Sequence, residues 1–146
     1  MPLWTTAIAL AVDGCPVLGI VDAPMIRRRY AACRGRGARV NDDPISVSAV
    51  DELGDAFVLH SSMEEWIGGG VLDRLVRVAE RSRRTRGLSD SWGHMLVAEG
   101  LAEALVEHEP CGEWDWAASV VIVEEAGGRI TTLDGSPPRH GSDLLV

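Results

Sequence analysis

The stretch from Glu113 to Gly128 limits what this chain can fold into more than any other. It reads Glu-Trp-Asp-Trp-Ala-Ala-Ser-Val-Val-Ile-Val-Glu-Glu-Ala-Gly-Gly. From Trp116 to Val123 no residue is charged, so a helix here is buried rather than surface-lying. The pattern predicts a helix that starts near Asp115 and stops at Gly127-Gly128, because glycine past the last turn takes the left-handed conformation that closes a helix. Arg129-Ile-Thr-Thr-Leu133 is β-branched and reads as a strand, turned by Asp134-Gly135. Asp115, at the mouth of the helix between two indoles, has two readings. It is an N-cap that accepts free backbone N–H groups and complements the helix dipole, or a carboxylate ligand to a hard divalent cation.

A chain of 146 residues is one domain or part of one, and buries about two thirds of its unfolded surface. The net charge of −8 argues against nucleic acid and anionic membrane as partners. All 14 basic residues are arginine. Cys15, Cys33 and Cys111 share no metal-ligand spacing and read as reduced thiols of a cytoplasmic protein. No stretch has the length a membrane span needs, and Met1-Pro2-Leu3-Trp4 does not read as a signal peptide.

In chain order, residues 5–12 read as a strand, Asp13-Gly14 as a hairpin turn and Pro16 to Val21 as the return strand. Arg27 to Cys33, Ala38 to Val40 and Ile45 to Val47 extend an antiparallel meander. Gly35-Arg36-Gly37 between them is a turn, since it lacks the Lys-Ser/Thr ending of a phosphate loop. Ser48 opens a short helical turn. Ala56 to His60 is an apolar strand with Ser61 and Ser62 past its end. Met63 to Arg84 is helical, firmly so after Gly68-Gly69-Gly70, and Arg81, Arg83, Arg84 and Arg86 form its solvated end. Asp90 to Gly100 is a helix, Leu101 to Glu107 a strand, and Pro110 to Gly112 a loop. Alternation of strand and helix from residue 56 predicts a sheet covered by helices. The fold class is therefore α/β, layered: an antiparallel strand segment over 1–50, then a helix-covered mixed sheet over 51–146. Asp90 reads as a cap for its helix, His94 among apolar neighbours is a packing histidine, and Glu107 and Glu109 are carboxylates at a strand end.

Trp114-Asp115-x-Ala-Ala followed by Ile122-Val123-x-Glu-Ala-Gly-Gly-Arg resembles the second signature of the inositol monophosphatase superfamily. Asp90-x-x-Gly93-His94-x-Leu96-Val97-Ala98-x-Gly100, with Ser61-Ser62 before Trp66, is most similar to the histidinol-phosphatase-like branch. The resemblance extends over nearly the whole chain and implies a Mg²⁺-dependent phosphomonoesterase acting on a small phosphorylated metabolite. It implies that Asp115 is a metal ligand and that Asp90 meets a substrate ammonium. Glu107 would hold the alcohol portion of the substrate, with Glu109 as the rival because the loop to Asp115 is one residue longer than the pattern. Ser61 and Ser62 fall near the substrate entrance. The family's first signature, Asp-Pro-Ile-Asp-Gly-Thr, does not occur here. The expectation is the C-terminal portion of such an enzyme, acting on histidinol phosphate or, as the alternative, inositol monophosphate. A reading of another class is a non-catalytic remnant that serves as a binding or homodimerisation module.

Overall fold

The computed structural model describes residues 4–146, apart from the side chain of Glu109. Residues 6–45 form a five-stranded antiparallel sheet in sequential order: β1 (Thr6–Val12), β2 (Cys15–Ala23), β3 (Arg28–Cys33), β4 (Ala38–Val40) and β5 (Asp43–Ile45). The expected Asp13-Gly14 turn joins β1 to β2, with both residues at positive φ (51° and 79°), as the twist of a tight hairpin requires. Ile8 faces Ile20 and Leu10 faces Leu18 across that hairpin. Gly35-Arg36-Gly37 is a turn as expected. Its three successive N–H groups donate to the Glu125 carboxylate at 2.8, 3.0 and 2.7 Å, tying the β3–β4 connection to the end of the long buried helix.

The second sheet has the order β7-β6-β8-β9, built from β6 (Phe57–His60), β7 (Arg84–Gly87), β8 (Ala104–Cys111) and β9 (Ser142–Leu145). β6 pairs in parallel with both β7 and β8, and β9 closes the edge antiparallel. Helices α1 (Met63–Gly68) and α2 (Leu72–Arg81) cover one face, where Trp66 and Leu75 pack on Val58 and Val106. Helices α3 (Asp90–Ala98) and α4 (Glu113–Glu125) cover the other, where Met95, Val97, Val121 and Ile122 share a core with Leu59 and Leu105.

The far side of α4 lies on the first sheet, against β1, β2 and β3. The molecule is thus layered helix, sheet, helix, sheet, and α4 belongs to both inner boundaries. This accounts for its sequence: a helix sandwiched between sheets has no face to give to charge, and every residue from Ala118 to Val123 is buried. Gly127, at φ 97°, closes it where the sequence predicts. The closest approach is at Gly19 of β2, where a Cβ would lie 2.2 Å from the Ala118 carbonyl oxygen. Neither backbone can retreat cheaply from a packed boundary. Gly19→Ala is expected to cost about 3 kcal/mol, at the upper end of overpacking, read as a lowered denaturation midpoint with an unchanged slope.

Several local expectations are corrected. Arg84–Gly87 is a strand, not a helix end; edge strands tolerate charge because one side faces water, and Arg84 lies over the Phe57 ring at 5.5 Å. Strand β8 runs on through Pro110, expected in a loop, because pairing with β9 slips between Glu107 and Cys111 and an irregularity accommodates proline. The break at Gly68-Gly69-Gly70 falls where the sequence predicts, between α1 and α2, but the second helix ends at Arg81 rather than Arg84. Arg129 to Leu133 contributes only a single bridge, Thr131 to Leu145. No helical turn forms at Ser48, whose hydroxyl accepts the Val50 N–H instead.

Candidate active site

The carboxyl ends of β6, β7 and β8 point the same way, and in parallel sheets ligands bind beyond such ends. A cleft of about 320 Å³ lies there, lined among others by Trp4, His60, Ser62, Leu88, Asp90 and Trp92. His60 ends β6 with its Nδ1–H donating to the Ser61 carbonyl at 2.8 Å. Ser61 is buried and accepts the His108 N–H at 3.2 Å, so of the two serines only Ser62 faces the cleft. A larger cavity of about 450 Å³ lies on another part of the surface, beside Trp116, Val120 and Ile130, and includes none of Asp90, Glu107 and Asp115.

Asp90 opens α3 with φ at 60°, a left-handed conformation that Asp and Asn reach more readily than other residues bearing a Cβ. Its carboxylate caps nothing: no hydrogen bond reaches it among the described residues, while its N–H donates to Glu107 Oε1 at 2.9 Å. Asp90 keeps an exposed surface, yet burial and then the Glu107 charge push its carboxyl up. His94 opposes that shift, and Asp115 and Glu65 add to it more weakly; among the described residues that line the cleft Asp90 is the one carboxylate.

Glu107, expected to touch substrate, is enclosed instead at 1% exposure. Its Oε1 takes the Asp90 N–H and its Oε2 takes Nε2–H of His94 at 2.9 Å. Burial pushes the Glu107 carboxyl up, but His94 and the Asp90 N–H outweigh it and hold the group below the usual carboxylate range. His94 is buried as a packing histidine should be, also at 1%, but its ring carries this ion pair as well. The rival Glu109 side chain lies outside the described residues.

Asp115 stands at the third position of α4, which begins at Glu113 rather than near Asp115. Its Oδ2 accepts the Gly112 N–H at 2.8 Å, half of a capping box. Oδ1 has no hydrogen-bond partner among the described residues, so the helix-entry and ligand readings engage different oxygens. Mg²⁺ demands a near-octahedral set of oxygens. Among the described residues no three His, Cys, Asp or Glu side chains gather to hold a metal. Asp115 can supply one corner of such a shell, and the residues present do not fit a self-sufficient Mg²⁺ centre.

The sequence placed Asp90 and Asp115 on the elements they occupy, but carried no signal for the Glu107–His94 pair. Those residues lie thirteen apart on a strand and a helix, and neither periodicity nor spacing relates them.

Fold and cleft together define a layered α/β domain with a candidate cleft at its strand ends. The chain belongs to the inositol monophosphatase family, whose pattern matches residues 1–146. It is 40% identical to the histidinol-phosphatases of Mycobacterium tuberculosis and Streptomyces coelicolor, over all of this chain and 58% of each of those proteins. Among solved structures, the Thermotoga maritima IMPase superposes with a TM-score of 0.88 at 28% identity, over 99% of this chain and 56% of that one. The chain thus spans a little under three fifths of the length of these relatives. Among the described residues no helix is long and apolar enough to cross a membrane.

Proposed function

We propose that this chain carries the substrate-recognition side of a phosphomonoesterase that cleaves histidinol phosphate to histidinol and phosphate. The observation that carries this reading is the uncommitted Asp90 carboxylate, carried on left-handed backbone at the lining of the cleft. A carboxylate so placed suits a substrate whose alcohol portion bears an ammonium, through a charge-assisted hydrogen bond. The names of two relatives at 40% identity support the same substrate. Mg²⁺ dependence enters this reading through Asp115 Oδ1, with the remaining ligands supplied from beyond the described residues. A reducing, cytoplasmic setting agrees with cysteines none of which is joined in a disulfide among the described residues.

Calorimetric titration of the chain with histidinol phosphate and with inositol 1-phosphate tests the proposal. Histidinol phosphate should bind more tightly, and Asp90→Asn should weaken it about 10- to 100-fold, the worth of a hydrogen bond between charged groups. Inositol 1-phosphate should change by no more than about twofold, within the range of a lost long-range charge effect. Equal losses on both ligands would remove Asp90 from amine recognition, and a wild-type preference for inositol 1-phosphate would favour that ester as substrate.

The same variant should unfold at a slightly higher temperature. Asparagine accepts positive φ, and the ionised Asp90 is a liability in the empty cleft that sets in as pH rises through its unfolded value. Discounted for its exposed side, the gain is a few tenths of a kcal/mol, about 1 °C.

A further inference from the structure

We infer that the buried Glu107–His94 pair is a positioning device that holds Asp90 aimed into the cleft, and that Glu107 itself does not touch the ligand. The inference rests on the reading of Asp90 as the amine-binding group.

The geometry is a clamp. Asp90 and His94 stand four residues apart on α3, so they lie one above the other on the same side of the helix. Each grips a different oxygen of a single carboxylate on β8: the Asp90 N–H at 2.9 Å on Oε1, and the His94 ring at 2.9 Å on Oε2. With each oxygen already accepting one hydrogen bond and 1% of the residue exposed, Glu107 lies enclosed and is not among the residues that line the cleft.

The clamp also accounts for the backbone. A non-glycine residue persists at φ 60° only where its surroundings over-determine it, and the N–H bond to Glu107 is the long-range contact that does so here. Close packing removes the slack that would let α3 slide along β8. A Cβ on Gly93 would lie 2.9 Å both from the Leu105 side chain and from the Leu88 carbonyl oxygen. The backbone that carries the Asp90 carboxylate is thereby fixed before a ligand arrives, which lowers the ordering cost of binding.

The test uses the whole 146-residue chain with histidinol as the probe, so that no phosphate contact contributes. Glu107→Gln should weaken histidinol binding about tenfold, a coupling typical of groups sharing one network. In an Asp90→Asn background the same change should cost nothing further, because Glu107 acts only through Asp90. A Glu107 that touches ligand directly, or one that only supports the fold, would give additive losses in the double variant and overturn the inference.

The second readout is independent of binding. The backbone amide proton of Asp90 should resonate far downfield in wild type and shift upfield in Glu107→Gln, with faster exchange. His94→Gln keeps a donor toward Oε2 and should retain most of the wild-type signature; if Glu107→Gln does not fold, loss of the signature in His94→Gln would count against the clamp. An Asp90 amide indifferent to Glu107 overturns the inference even if histidinol binds. A wild type that does not bind histidinol defeats the amine reading, while the amide signal still decides whether the clamp exists.

Discussion

Asp115→Asn is expected to leave the fold nearly untouched and, in a chimera with a histidinol-phosphatase relative, to cut phosphate release sharply. The carboxamide oxygen can still accept the Gly112 N–H that Oδ2 takes at 2.8 Å, so the entry to α4 survives. The cost in stability is about 0.3–1 kcal/mol, mostly the lost charge near the positive end of the helix. The chemistry is another matter, because a neutral amide oxygen is a far poorer ligand than a carboxylate for a hard cation. The comparison belongs in a chimera in which the part of the Mycobacterium tuberculosis relative not covered by the match precedes this chain. There the substitution should lower phosphate release from histidinol phosphate by at least about 100-fold, on the scale of losing one stabilising group in a transition state, and should raise half-saturating Mg²⁺. The 146-residue chain alone, with one available carboxylate oxygen, should show no Mg²⁺-dependent release above background with either residue. Wild-type turnover and Mg²⁺ dependence in the substituted chimera would make Asp115 a helix-entry residue only.

His94→Leu should destabilise the fold by about 3–5 kcal/mol, the cost of leaving one charge of a buried pair without its partner. Its pH dependence should also invert. In wild type the Glu107 carboxyl is held below its ordinary range, so its contribution is fully present above the unfolded carboxylate value, about 4.3, and is lost as pH falls through the lower folded value. With leucine at position 94, burial dominates and raises the same carboxyl. The variant should then be favoured at acid pH and lose stability as pH rises through the new, higher value. Asp90 adds a penalty of that sign in both proteins, which largely cancels in the difference. Thermal unfolding from pH 4 to 7 reads this directly: the gap between wild type and His94→Leu should widen with pH. A gap independent of pH would mean that leucine costs packing alone and that Glu107 is not held as an ion by His94.

What was legible in the sequence was whatever one element could reveal by itself. The uncharged run before Gly127 announced a buried helix, Asp13-Gly14 announced a hairpin, and the signature residues put Asp90 and Asp115 on the right elements. The strand at Arg84–Gly87 was hidden because an edge position lets arginines occupy a strand, and the continuation of β8 past Pro110 because a slipped register forgives a proline. The Glu107–His94 pair and the contact of Gly19 with Ala118 arise between elements, and local pattern holds no trace of them. The sequence offers Glu107 as a carboxylate at a strand end, yet its burial beneath the Asp90 N–H depends on how α3 docks on β8.

The left-handed backbone at position 90 narrows what heredity can write there. Glycine and asparagine satisfy the backbone but bring no charge. Glutamate brings charge on a longer stem, and its higher cost at positive φ would loosen the turn. Aspartate alone meets both demands, so a codon at this position that drifts to another acid, or to another turn-former, surrenders one of the two. A lineage that keeps the amine substrate should therefore keep Asp at position 90, while one that takes up a neutral ester is free to relax to Asn or Gly and gain a little stability in the exchange.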